Sequence, residues 1–525
     1  MSWRTPPAAI ADSEVTKEYT ADVVVIGLGN SGAPAFRAAA EAGAEVIGLE
    51  AMPEKGYNTF GRQIGHINSE FLAKFGVDKV DPNEFFLEWM RRSGGRANQK
   101  LIMQFAKKSG AAIDWLFSVL TPEQYDKLSV TFWPLGKNFS GELSGYKFWG
   151  ACAEISGGIT VGEVMRANIE KGVSLGGTAL FGTRAVQLIV EEGRVTGVFA
   201  SDRKDTIRIN AKKGVILAAG DFGGDKEMCE ELIVDAADMM DTENDKFFSL
   251  GRDGSGIKMG VWAGGRLEPR PLPAMGGNYM TPLGVTGIHG GLWLDENGER
   301  WCNEGLGDPV FAGFAAANEK HMTKYVIFDS SILEDLEAGT PAHCAFELHA
   351  PGMEETLVSQ MKEAYEAGDA GAKVAGFRLG ESSMLYAADS LEELGRRLGF
   401  EGERLESFLG SIRRYNDFCY NGRDDDFAKD KSLLNPVDEP PYFAQPSALD
   451  RVIGGSLVTV GGFLTDERQN VLDKDKDPIP GLYATGNCCG RRFGLQYSTP
   501  IAGVSIGIAV TLGRECGSIA AGAEG

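Results

Sequence analysis

The sequence predicts an α/β protein: a parallel sheet assembled from both ends of the chain, with a long α+β insertion between them. Three observations carry that prediction. The apolar run Ala21-Asp22-Val23-Val24-Val25-Ile26 leads directly into Gly27-Leu28-Gly29-Asn30-Ser31-Gly32. A second apolar run, Val46 to Leu49, ends on Glu50, eighteen residues beyond the last of those glycines. Two more apolar runs open on glycine, Gly214-Val215-Ile216-Leu217-Ala218-Ala219-Gly220 and, near the end of the chain, Ile479 to Asn487.

Taken in order, the first run lacks the polar alternation of a half-solvated strand and suits a parallel sheet covered on both faces. Its glycines let the backbone turn sharply and approach a pyrophosphate at the N-terminus of the next helix, read over Ala33 to Gly43. Glu50 then ends the second strand where a carboxylate can hold both hydroxyls of an adenosine ribose, which selects FAD or NAD over NADP. Gly27, Gly29, Gly32 and Glu50 are therefore candidate cofactor contacts. In a chain with 70 glycines the GxGxxG pattern alone is weak; its place between a strand and a helix, with the acid at this distance, gives it weight.

Further segments decide between the nucleotides. Glu54-Lys55-Gly56-Tyr57-Asn58-Thr59 follows the acid, where an isoalloxazine-binding loop would sit, and a hairpin pattern over Glu191 to Val198 precedes the Gly214 run. Together these segments resemble the flavoprotein subunit family of fumarate reductase and succinate dehydrogenase, nearer its 3-ketosteroid dehydrogenase-like branch than the true fumarate reductases. The resemblance runs from about residue 20 to 517 and is also specific over Ala387 to Ala444, through Arg414-Tyr415-Asn416 and Pro440-Pro441-Tyr442-Phe443-Ala444. It implies a Rossmann-like FAD-binding domain with an inserted α+β capping (substrate) domain that closes over substrate. It also implies non-covalent FAD, because the residues around His66 do not match the covalent relatives. Cofactor contacts are expected at Asn58, Thr59, Gly65, Val186, Ala219, Gly220, Asp253, Gly486, Asn487, Ser505 and Ile506. The alternative, a nicotinamide dehydrogenase with one such unit, leaves the C-terminal return to the nucleotide unexplained.

The expected organisation is an N-terminal arm over 1–20, FAD-binding segments at 21–265 and 446–525, and the capping domain at 266–445, beginning after the Gly264-Gly265 turn. Within the insertion, Thr323 to Asp329 reads as a strand and 353–368 and 390–418 as helices. The charged run Arg423-Asp424-Asp425-Asp426 reads as a solvated loop. Ile501 to Gly513 reads as a helix whose first turn meets the flavin; it is too short to span a bilayer.

Composition narrows the function classes. At 525 residues and 43% hydrophobic content the chain can fill two or three cores. A net charge of −22 argues against nucleic acid and anionic membranes, which need clustered Lys and Arg. Eight scattered cysteines include no CxxC pair for zinc, an iron–sulfur cluster or a redox disulfide, and no CxxCH for haem. Electrons must then pass to or from an external donor or acceptor, NADH or a redox protein. No targeting segment is visible, so a cytoplasmic location is expected.

The catalytic residues depart from the fumarate reductase pattern. Asp295 to Glu304 matches the segment leading to that family's proton-donating arginine, but Asp308 stands where the arginine belongs. Val458 takes the place of a substrate-binding histidine, and Tyr497-Ser498-Thr499-Pro500 contains no clamp arginine. A dicarboxylate left without cationic partners in a dry cleft is very costly. The ketosteroid branch instead uses tyrosines, and Tyr497 precedes Gly503-Val504-Ser505-Ile506-Gly507, two residues further than in that pattern. Tyr497, His289 and Asp308 are the catalytic candidates. Each has a structural alternative: a core tyrosine bonded to backbone, a loop histidine and a solvated carboxylate. Arg491-Arg492 are read either as surface residues or as balancing charge on the reduced cofactor. Phe132-Trp133-Pro134, Phe139, Tyr146 and Phe148-Trp149 suggest an aromatic pocket wall or a core under a long loop.

The expected activity is an FAD-dependent oxidoreductase that reduces or forms a carbon–carbon double bond activated by a carbonyl or an aromatic ring. Its substrate is read as a bulky, apolar, ring-containing molecule such as a steroid or polyphenol. The alternatives are a reductase of a small fumarate- or urocanate-like acid, and an electron-transfer flavoprotein subunit dependent on a redox partner.

Overall fold

The computed structural model describes residues 2–131, 138–139, 147–233, 250–276, 291–305, 323–338, 348, 352–375, 382–448, 456–495 and 497–523. The chain divides into two units. The first comprises Met1–Thr131, Cys152–Gly276 and Ser456–Gly525, the second Phe132–Ala151 and Gly277–Gly455.

The first unit is built on the strand Lys17–Ile26, with Thr206–Leu217 parallel on one side and Val46–Glu50 parallel on the other. Thr178–Phe181 extends the sheet beyond Val46–Glu50, and Pro478–Ala484 extends it beyond Thr206–Leu217, both in parallel. The hairpin Arg184–Glu191 and Arg194–Ser201 adds antiparallel strands to the early part of Thr206–Leu217. Val24 and Ile26 enter one apolar cluster while Val23 and Val25 enter another, so every side chain from Val23 to Ile26 is buried. That double burial is why the run shows no polar alternation.

The helix Gly32–Glu41 packs on the C-terminal helix Val504–Ala521. The approach is close: a Cβ on Gly513 would lie 2.3 Å from the Ser31 carbonyl oxygen, and one on Gly517 would lie 2.1 Å from that of Ala35. The C-terminal helix is longer than the expected Ile501 to Gly513. It has 18 residues and a mean hydropathy of 1.2, enough to cross a membrane by length and composition, but 78% of it is buried and it serves as a core helix.

Two boundaries differ from expectation. Residues 1–20 are not a loose arm: Lys17–Thr20 pair with Ile207–Asn210, and Trp3 is buried with its indole N–H donating to Glu231 at 2.7 Å. A lone tryptophan among prolines carries no periodic signal, so its anchor was not legible. The chain also does not leave the first unit at Gly264-Gly265. Arg266 N–H donates to the Leu472 carbonyl at 2.8 Å, and Ala274–Gly276 pairs with Ser456–Thr459.

The second unit is α+β. Its antiparallel sheet runs in the order Leu292–Asp295, Thr323–Phe328, Tyr442–Ala448, Ser382–Ala388, Ala372–Ala375. Leu357 and Ala364 of the helix Met353–Ala367 fill one apolar cluster; Leu394 of Leu391–Arg397 and Phe408 and Ile412 of Gly402–Asn421 fill another. Asp424, read as part of a solvated run, is buried. It accepts from the Arg300 guanidinium at 2.9 Å and from the Lys429 N–H at 3.0 Å. Its partner is more than a hundred residues away, so charge density along the chain could not reveal it.

Candidate cofactor site

The carboxyl ends of the parallel strands of the first unit open onto a cavity of about 540 Å³. Ligands of open parallel sheets occupy this crevice. Gly27 and Gly29 form part of its wall immediately after the first strand, and Glu50 stands at the end of the second. The Glu50 carboxylate is fixed by backbone donors: Leu28 N–H at 3.1 Å on one oxygen and Met52 N–H at 2.9 Å on the other. Ala219 and Gly220 follow the Thr206–Leu217 strand into the wall, and Gly486 and Asn487 follow Pro478–Ala484. Asn58 and Thr59 come from the loop after Glu50, and Ser505 and Ile506 from the first turn of the C-terminal helix.

Asp253 lines the cavity and pairs with Arg184. Burial works to raise the Asp253 carboxyl, yet the hydrogen bonds from Arg184 and from Ser255 N–H hold it below its ordinary value. Twelve of the fifteen expected cofactor residues thus line one cavity. The other three do not line it. Gly32 lies under the first turn, Gly65 donates its N–H to the Gly503 carbonyl at 2.9 Å, and Val186 yields its expected place to Ala185.

Several wall residues escaped the sequence reading. Asp221 is buried and accepts from Thr459 and Arg252 N–H, both at 2.9 Å; burial raises its pKa. Its glycine-rich segment was recognised, and a carboxylate inside such a turn was an available signal. Ser31 and Arg252 also line the cavity, as do Met275 and Leu457 beside Val458; their approach depends on pairing between distant strands.

The walls fit an FAD-sized dinucleotide. The side-chain oxygens Asn30 Oδ1 and Thr59 Oγ1 belong to cavity-lining residues, are buried, and have no hydrogen-bond partner among the described residues. Such oxygens call for a polar ligand. A Cβ on Gly29 would meet nothing within 4 Å among the described residues, so that face is open to an incoming group.

Of the catalytic candidates, His289 and Asp308 lie outside the described residues, as do Phe132-Trp133-Pro134, Tyr146 and the Phe139 side chain. Phe148 and Trp149 are buried in the second unit. Tyr497 is buried and does not line the cavity; its hydroxyl accepts from the Ser505 N–H at 3.0 Å, bracing the first helical turn. Burial pushes its pKa up to about 12, so the phenol keeps its proton at neutral pH. His66 is fully buried, with its ring nitrogens 2.9 Å from the Ile64 carbonyl oxygen and 2.7 Å from Ser69 Oγ, and burial lowers its pKa to about 4. The two members of the Arg491-Arg492 pair differ: Arg492 is fully buried, whereas Arg491 is half-buried and donates to the Arg96 carbonyl at 2.8 Å.

Known proteins place this geometry. The chain is 25% identical to vinyl phenol reductase of Lactiplantibacillus plantarum, covering 97% of both chains. It is also 25% identical to fumarate reductase (cytochrome) of Shewanella frigidimarina, covering 96% of this chain and 77% of that one. Its fold matches the solved 3-ketosteroid-Δ4-(5α)-dehydrogenase from Rhodococcus jostii RHA1 with a TM-score of 0.68 at 22% identity, covering 97% and 99% of the two chains. Residues 22–505 match the FAD binding domain family, and the protein belongs to that family as an FAD-dependent oxidoreductase acting on CH–CH groups.

Proposed function

We propose that the protein reduces, or in reverse forms, a carbon–carbon double bond conjugated to an aromatic ring or a carbonyl, on a ring-containing and largely apolar substrate. The observation that carries this reading is the apolar edge of the cavity. Met275 pairs with Val458, and Leu457 adjoins them, at the position where a dicarboxylate reductase of the resembling family places a histidine. The clamp arginine is likewise missing from Tyr497 to Pro500. An apolar ring loses little on entering such an edge, whereas a dicarboxylate would find there neither the histidine nor the clamp arginine of the resembling family. The likeness to vinyl phenol reductase over nearly the whole of both chains supports an aromatic activating group.

Bound FAD supplies or accepts the hydride. The chain supplies the rest. Gly27 and Gly29 would admit the pyrophosphate, Glu50 would hold the adenosine ribose, and Asn58, Thr59, Ser505 and Ile506 would border the flavin. Of the catalytic candidates only Tyr497 is described; it keeps its proton, but it stands outside the cavity wall and braces the turn that carries Ser505, so its role as proton donor rests on the family resemblance alone. By the family resemblance the inserted segment is read as a cap that excludes water, and NADH or a redox protein would deliver the electrons. Flavin attachment is non-covalent, a reading supported by His66, whose ring nitrogens are both engaged in the interior.

The test starts from purified holoenzyme. Acid precipitation should leave the flavin in the supernatant. Anaerobic, dithionite-reduced protein should then be reoxidised rapidly by vinyl phenols, isoflavonoids or 3-ketosteroid enones and slowly by fumarate and urocanate. Fast reoxidation by fumarate alone would defeat the apolar-site reading. For the proton donor, Tyr497→Phe should lower turnover by ~10²-fold with FAD retained; undiminished turnover would remove Tyr497 from that role.

A further inference from the structure

A buried guanidinium stands behind the cofactor cavity with no ion pair to any carboxylate among the described residues. Arg492 is fully buried. Its Nε donates to the Cys489 carbonyl at 2.8 Å, and its Nη2 donates to the Val460 carbonyl and to Asn487 Oδ1, both at 2.9 Å. Its Nη1 is buried and reaches no acceptor among the described residues. All of these partners are neutral, and among the described residues no carboxylate forms an ion pair with it.

The titratable groups that face Arg492 offer little compensation. Glu268 is the nearest carboxylate in effect, but its oxygens accept from Gly462 N–H and Arg491 N–H, both at 3.1 Å. Burial pushes Glu268 up to about 7, so part of it is neutral at physiological pH. Burial also keeps Cys488, Cys489 and Tyr497 protonated. Arginine stays charged in proteins, and an unpaired buried cation is costly enough that it needs a counter-charge. The cavity that Asn487 lines lies on the other side of that hydrogen bond.

We propose that Arg492 is a positioning residue for the flavin: it fixes the Asn487 amide in the cavity wall, and its charge stabilises the negative charge that FAD gains on reduction, raising the cofactor's reduction potential. This rests on the FAD reading of the cavity. The partner of the buried cation is then the reduced cofactor, which accounts for a guanidinium surrounded by neutral acceptors. Arg491 is excluded from the role because its guanidinium turns to the Arg96 carbonyl.

The experiment is a dye-equilibrated potential measurement on wild-type holoenzyme and on Arg492→Gln and Arg492→Lys. The Gln variant should lose at least tenfold in the reduced-to-oxidised ratio at a fixed applied potential, a shift of about 30 mV for a two-electron couple. The Lys variant, which keeps the charge, should recover most of that shift. A second measurement needs no variant, in case Arg492→Gln does not fold. The reduced FAD of the wild-type protein should lose its ring proton at least one pH unit below free reduced FAD titrated alongside. A Gln variant that binds FAD at the wild-type potential would overturn the proposal, as would bound reduced FAD that ionises at or above the pH of the free cofactor. Wild-type protein that binds no FAD would defeat the cofactor reading itself, a different and separately visible failure.

Discussion

Gly29→Ala is expected to lower FAD affinity by about 10- to 100-fold while leaving the fold intact. A Cβ at Gly29 meets no atom of the described residues within 4 Å, and the backbone there needs no left-handed conformation, so the apo-protein should melt within about 0.5 kcal/mol of wild type. The new methyl group instead projects from the wall of the cavity. Crowding a close backbone approach costs about 1–3 kcal/mol, one to two decades in binding. Gly32→Ala should do the opposite. Its Cβ would lie 1.7 Å from the Gly27 carbonyl oxygen, a backbone atom that cannot turn aside. That variant should lose about 3 kcal/mol or more of stability with or without cofactor. Thermal melts of both apo-proteins and a fluorescence titration with FAD separate the two effects. Wild-type FAD affinity in Gly29→Ala would mean that the cofactor does not approach this stretch of backbone.

The largest stability effect is expected in the second unit. Glu304 is buried, accepts two hydrogen bonds from Arg300 at 3.0 and 2.8 Å, and lies 3.6 Å from the Lys429 ammonium. Asp424 shares the same Arg300 nitrogen at 2.9 Å. Burial works to raise both carboxyls, but the neighbouring cations prevail: Glu304 is held below its ordinary value and Asp424 at about 2. Glu304→Leu leaves two buried cations with one carboxylate between them and should cost about 3–5 kcal/mol. Tryptophan fluorescence reads this directly, because the Trp301 ring lies 4.4 Å from Lys324 Nζ in the same interior and Trp293 stacks beside it. An unchanged melt would show that the cluster is dispensable. The sign of the acid dependence follows from the depressed pKa of Asp424. Its stabilisation is complete above the unfolded value of 3.8 and fades as pH falls through about 2.

Legibility followed the range of the forces. The strand–glycine–helix–strand unit from Val23 to Glu50 was readable because its signals are local: a fully apolar run, a turn that only glycine permits, and an acid at fixed distance. The same holds for Gly214 to Gly220 and for the C-terminal return. What could not be read locally was how far each candidate stands from the cavity. Gly32 and Gly65 belong to the same glycine-rich segments as the wall residues, yet they spend their missing Cβ on backbone packing. Val186 stands one residue beyond the lining position taken by Ala185.

By itself the sequence determined the fold class and a dinucleotide pattern for FAD or NAD, because burial pattern and turn chemistry act over a few residues and leave their period in the chain; the choice of FAD came from the family resemblance. Tertiary structure alone decided that Trp3 anchors the N-terminus, that 132–151 join the second unit, that Asp424 is a buried partner of Arg300, and that Arg492 rather than Arg491 stands behind Asn487. Each of these turns on whether a charge or a ring meets its partner across tens to hundreds of residues. Desolvation makes such a meeting decisive, and residue order does not record it.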